Sequence, residues 1–242
     1  MQKTILSLVG AIAAPVAMAG TPVSAPVAAA PEASHAFSYD YAQASYVQGW
    51  LDDDLLGSGL FQNSSGYAVD LSKSVGTSFF VYGGIGQSFS NDSADIYGTD
   101  VEGDLDTMSV ELGVGFHFPI TNRIDWVIKG AGTWNRAEMD LSADGYDFDD
   151  IGSVDGFGAQ VATGFRIALT SSIELGLFYQ YNYMDAEFEV DGQDYATSDA
   201  DVSTGYADLV FRNIGVENLD LVLSSSFGES AVTAGAGIRY NY

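Results

Sequence analysis

Three observations predict an all-β fold, a transmembrane antiparallel up-and-down β-barrel of about ten strands, with eight as the alternative. They are a period-two alternation of apolar and polar residues, a regular exchange of long and short connections, and aromatic residues gathered near segment ends. Between Asp106 and Pro119, the residues Met108, Val110, Leu112, Val114, Phe116 and Phe118 alternate with Ser109, Glu111, Gly113, Gly115 and His117. The pattern recurs from Ile173 to Tyr183, and from Val232 to Tyr242 against Thr233, Gly235, Gly237, Arg239 and Asn241. One face is continuously apolar and the other is polar or small. A soluble sandwich alternates in the same way, so alternation alone does not decide.

The connections do. Strands are expected near 38–50, 64–73, 78–90, 105–118, 123–138, 156–169, 172–186, 203–212, 218–227 and 231–242. Long connections (51–63, 91–104, 139–155, 187–202) alternate with short ones (74–77, 119–122, 170–171, 213–217), and only the hairpin around Gly228 to Ser230 breaks the rule. Greek-key crossings give no reason for such an exchange, whereas outer-membrane barrels have short periplasmic turns and longer external loops. An even strand count leaves both termini in the periplasm.

Taken in chain order, residues 1–19 are expected to be a signal peptide, with Lys3 near the start, an apolar run from Ile5, and Ala17 and Ala19 as an A-x-A cleavage site. The run contains Pro15 and is short of the roughly 20 residues that a transmembrane helix needs. Residues 20–36 are rich in Ala, Pro and Ser and read as an extended periplasmic spacer, and 37–242 as the barrel. Within the fifth strand, Trp126 and Trp134 share a face and would lie roughly 20 Å apart along the axis, close to the height of the apolar band. Tyr179, Tyr181 and Tyr183 are placed at the outer rim, and Phe116, Phe118, Tyr240 and Tyr242 at the inner one.

The signal peptide, the opening segment Phe37 to Tyr46 (FSYDYAQASY), the Gly-rich alternating hairpins and the terminal GIRYNY resemble the small outer-membrane barrels of proteobacteria, the opacity-protein and OmpA-like transmembrane group. The resemblance spans about 37–242 and carries no catalytic motif. It implies a porin-like chain in the outer membrane of a Gram-negative bacterium, with Tyr242 as the aromatic signal read by the barrel-assembly machinery.

If the apolar face meets lipid, the other face collects Asp70, Glu111, Lys129, Arg166, Glu174, Asp208, Arg212, Asp220 and Arg239 in the lumen. Only eight Lys and Arg exist in the chain, and half of these lie at such positions. A cation facing lipid at the midplane costs about 2–4 kcal/mol, so an inward location is expected. The set reads as a salt-bridged plug, with an ion-selective path as the other reading, because a barrel of this size is barely wider than its own side chains. Inward glycines such as Gly84, Gly86, Gly113, Gly115, Gly176, Gly235 and Gly237 leave room for larger neighbours.

Acid dominates the long connections. Asp100, Glu102, Asp104, Asp147, Asp149, Asp150, Asp191 and Asp194 are candidates for weak calcium or magnesium sites, since hard cations prefer oxygen ligands. No EF-hand spacing is present, and a hydrated, repulsive surface is the competing reading. No other cofactor is expected. There are no cysteines, so disulfides and thiolate sites are excluded. The formal net charge of −25 argues against nucleic acid as a partner and leaves lipid and lipopolysaccharide. Of the two histidines, His35 lies in the spacer and His117 at the foot of a strand, so an outer-rim catalytic site has no histidine base and no enzyme is expected. The expected function is structural or surface-interacting, with a small cation-preferring channel as the alternative.

Overall fold

Alternation of side chains forces a strand to offer two different faces, and an antiparallel sheet with one apolar face is stable in lipid only when its edges meet. The computed structural model describes residues 37–51, 62–96, 99–143, 146–190, 193–228 and 231–242. The expected signal peptide, spacer and His35 lie outside them, as does most of the first long connection. Ten strands follow: β1 (Tyr41–Leu51), β2 (Asn63–Ser74), β3 (Phe79–Ile96), β4 (Thr99–Thr121), β5 (Ile124–Ala143), β6 (Tyr146–Ala168), β7 (Ile173–Val190), β8 (Gln193–Phe211), β9 (Leu219–Gly228) and β10 (Ala231–Asn241). Each pairs antiparallel with its sequence neighbours, and β1 pairs with β10, from Tyr41↔Asn241 to Leu51↔Ala231, to close the barrel.

Short turns join the strands at one end. The β8–β9 turn places Asn213, Gly215 and Asn218 at φ values of 54°, 76° and 64°, a region that Asn and Gly tolerate better than most residues. At the other end the expected loops are overturned. Residues 91–104, 139–155 and 187–202 are largely strand: β3 and β4 pair up to Ile96↔Thr99, β5 and β6 to Ala143↔Tyr146, and β7 and β8 to Val190↔Gln193. Acidic residues at alternate positions occupy one face of a ribbon and leave its backbone free to pair. Register shifts at Met139/Leu141 and Ala186/Phe188 mark irregularities within two of these extensions.

The two heights of the barrel differ in polarity. In the lower wall Leu71, Ile85, Leu112, Val161 and Phe157 are exposed on the outside, and polar residues point inward. In the ribbons above, the phase reverses. Leu105, Ala137, Val154, Met184 and Ala186 are buried inside, while Asp104, Asp106, Glu138, Asp185 and Glu187 face out. Phe79 and Phe116 pair at 5.1 Å, and Phe118 and Trp126 at 5.5 Å, on the outer wall near the short turns. Trp134 pairs in register with Phe157 just below the reversal.

Candidate functional site: the filled lumen and its periplasmic mouth

Inward parity, fixed on each strand by its polar residues, carries aromatics into the lumen as well. Tyr41 shares parity with Gln43 and Ser45, and with it go Phe37 and Tyr39. All three rings are buried. Tyr39, Tyr41, Phe80, Tyr82, Val127, Phe178 and Tyr206 form one core cluster inside the barrel. Glycines make room for it. A Cβ on Gly115 would lie 2.1 Å from the Phe80 ring, and one on Gly113 2.6 Å from Tyr82, so those two rings occupy the space in front of the neighbouring strand.

At the short-turn end, Tyr39 stacks on Phe80 (4.5 Å) and meets the tilted His117 ring at 4.3 Å. Its hydroxyl donates to Asp125 at 3.4 Å, and His117 Nδ1 lies 3.3 Å from the same carboxylate. Arg166 packs its guanidinium 4.7 Å from the Phe37 ring centroid and 5.6 Å from that of Tyr39, and ion-pairs with Glu174. Glu174 also accepts from Arg212, whose guanidinium lies 5.5 Å from Phe37. One carboxylate and two guanidinium groups therefore clamp the segment that precedes β1. Just outside this cluster, Asp40 is held below the ordinary carboxylate range. Burial opposes its charge, but the Ser74 N–H at 2.6 Å and the Lys73 ammonium at 3.2 Å outweigh it.

All nine residues expected in the lumen face inward, but they form three groups. Arg166, Glu174 and Arg212 hold the mouth. Farther in, Lys129 sits 5.2 Å from the Tyr82 centroid and 5.5 Å from those of Phe178 and Tyr206, which stack on each other at 4.9 Å. An ammonium over ring faces is attracted by their quadrupoles. Glu111 accepts from Gln160, which in turn accepts from Gln180 at 3.1 Å. Asp70 and Asp208 are buried in the same region, and among the described residues nothing hydrogen-bonds to either Asp208 carboxylate oxygen. The third group lies at the seam: Arg239 donates Nε to Gln43 at 2.9 Å and covers the Tyr41 ring at 4.9 Å. Asp220 accepts from the Asn213 N–H (2.9 Å) and from Asn241 (2.8 Å), which makes it a clasp for the β8–β9 turn.

The acidic candidates are more scattered. Asp100, Glu102 and Asp104 share the outward parity of β4, and Asp104 accepts from Asn91. Asp191 and the side chains of Asp147, Asp149, Asp150 and Asp194 lie outside the described residues. Among the described residues, no three potential ligands converge into a metal-holding group. Tyr242 is anchored by its N–H to the Asp40 carbonyl (3.2 Å) and by its hydroxyl to the Ser72 carbonyl (3.1 Å). The aromatic stopper of Phe37 and Tyr39 went unread because those residues look like lipid-facing ones. The readable signal was their parity with Gln43 and Ser45.

No family model matches the chain, and no curated protein matches it. Among solved structures, the transport unit of the autotransporter AIDA-I from Escherichia coli is similar over 97% of this chain and 98% of its own, with 10% identity and a TM-score of 0.52. The fold is that of an outer-membrane β-barrel. A closed ladder with an apolar outer wall places it in the outer membrane, in contact with lipid. Neisserial surface protein A matches over 85% of this chain and 98% of its own (14% identity, TM-score 0.41). Ail, the attachment invasion locus protein of Yersinia pestis, matches over 83% and 99% (15% identity, TM-score 0.39).

Proposed function

We propose that this outer-membrane barrel is a closed, non-enzymatic body with a structural or surface-interaction role, exerted through its acidic ribbons. The observation that carries the reading is the occupied periplasmic mouth, where Phe37 and Tyr39 are buried against Arg166, Phe80 and His117. A stack of rings and guanidinium groups leaves little cross-section for ions in a barrel this narrow. His117 supports the non-enzymatic part, since it faces the lumen at the periplasmic end and is engaged by Asp125 and Tyr39.

Outside the membrane, Asp104 stands opposite Asp140 and Asp106 opposite Glu138 on the outer face of β4 and β5. Like charges directly opposite each other destabilise a sheet, so a divalent cation shared with phosphates of lipopolysaccharide would relieve them. Calcium affinity on such an open surface belongs in the high micromolar to millimolar range, roughly that of extracellular modules. Calorimetric titration should show heat there, and protection of the ribbons from proteolysis.

A second reading, a small cation-preferring channel, draws on Asp208 and on the Tyr82 and Tyr206 hydroxyls, buried polar atoms without hydrogen-bond partners among the described residues, which internal water would satisfy. Planar-bilayer recording separates the two. The closed barrel should be silent, and Tyr39→Ala should raise leakage; steady open events in the unaltered protein would establish the channel.

A further inference from the structure

On the periplasmic half of the outer wall, Leu71 of β2, Gly83 of β3 and Leu112 of β4 lie side by side in register. Gly83 has no side chain, so it forms the floor of a groove whose walls are aliphatic. The groove is shallow and open to the outside along its length, with a volume of about 510 Å³. The outward-facing Val81 and Val114 separate Gly83 and Leu112 from the Phe79–Phe116 pair nearer the short turns. At its periplasmic end stand Lys73 and Tyr242. The Lys73 side chain is 54% exposed, with its ammonium 3.2 Å from Asp40 and 4.9 Å above the Tyr242 ring. An ammonium has three donors, and Asp40 engages one of them.

We propose that this groove seats one acyl chain of an inner-leaflet glycerophospholipid, whose phosphodiester is held by Lys73. A flat stretch of wall touches any passing chain on one side only. A shallow groove touches it from the floor and the two walls and gains contact area, in proportion to which apolar association strengthens. The cation complements the phosphate in a chain of net charge −25 whose other carboxylates would repel it. Chain and headgroup are thus read by separate parts of one site, the aliphatic walls and Lys73.

The test uses the full purified barrel, delipidated in detergent and titrated with phosphatidylglycerol, phosphatidylethanolamine or diacylglycerol, with native mass spectrometry as the readout. One phospholipid should bind saturably and in preference to diacylglycerol, which lacks the phosphate. Lys73→Gln should weaken phospholipid binding about five-fold, to the level of diacylglycerol. Gly83→Val raises the floor, and Leu112→Ala removes a wall without adding bulk. Both should weaken all three ligands while the heat-dependent gel shift of the folded barrel persists, and Val161→Ala on another part of the wall should change nothing. Equal binding of diacylglycerol and phospholipid, or unchanged binding in Lys73→Gln and Leu112→Ala, would overturn the site.

Discussion

Within the single strand β4, the lipid-embedded wall and the ribbon above it solve opposite solvation problems. Below Thr107, Met108, Val110 and Leu112 face outward and Ser109 and Glu111 inward; above it, Leu105 is buried inside and Asp104 and Asp106 face out. The backbone continues without a break, and only the phase of the hydrophobic pattern changes. The lower part turns its aliphatic residues out to lipid and shelters inside it a core of charged and polar groups packed among aromatic rings. The upper part is an ordinary water-soluble sheet with an apolar interior. A phase reversal along one strand therefore marks the membrane surface.

The sharpest way to break the contrast is to remove a charge from the polar interior. Arg166→Ala strands Glu174 with Arg212 alone and opens the space beside Phe37. Breaking a buried ion pair costs about 3–5 kcal/mol. Heat-dependent gel mobility should shift to markedly lower temperature, and an unchanged midpoint would show that the mouth is solvated.

Reversing the outer wall comes next. Val161→Arg places a charge on the lipid face and should cost about 2–4 kcal/mol, whereas Glu187→Arg on the ribbon, exposed to water, should stay within about 0.5 kcal/mol. Equal effects in urea titrations of the refolded barrel would place the membrane boundary elsewhere.

The ribbon interior should respond to the opposite chemistry. Leu105→Ala ought to cost about 2 kcal/mol, at the low end for a buried leucine because a paired ribbon can close on the gap. The loss should appear as faster proteolysis above the membrane with the gel shift of the wall unchanged. A shift in the whole barrel would mean that the two regions melt together.

The smallest effect concerns Asp106, which lies on the ribbon's outer face. Burial, and then the charges of Asp104, Glu138 and Asp140, raise its carboxyl above the ordinary range. A raised group binds its proton more readily when folded, so ribbon order should increase as pH falls through that raised value and be lost as pH rises past it. Asp106→Asn should flatten this dependence and stabilise by only a few tenths of a kcal/mol, since the site is largely exposed. Hydrogen exchange of the β4–β5 amides at two pH values would measure it.

The wall was readable because apolar residues at alternate positions have no other economical arrangement than a lipid-facing one. All ten strands were legible in this way, as were the inward positions of Lys129, Arg166, Arg212 and Arg239. The ribbons were not, because Asp and Glu are poor strand formers and their density resembles a loop. Yet in two of the three ribbons the sequence between the paired strands is Asp-Gly (144–145 and 191–192), and Asp-Gly between alternating residues is a strong hairpin signal. Composition outweighed it. The grouping of the lumen charges could not be read at all, since whether Asp220 joins Arg239 or clasps a turn depends on the closed register rather than on inward parity.

The seam between β1 and β10 also sets a timescale. Gln43 and Arg239 are 196 positions apart in sequence, yet they share a hydrogen bond inside the wall, and the Tyr242 amide meets the Asp40 carbonyl three residues below. Contacts between such distant positions form late, because the intervening chain must be ordered before they are rewarded. Until the last strand docks, β1 has an unpaired edge that can recruit another copy. The same last strand brings Tyr242 against Asp40, beside the clamped segment. Insertion kinetics should therefore be slow and single-phased at the seam, with capping of the mouth and closure of the wall arriving as one event.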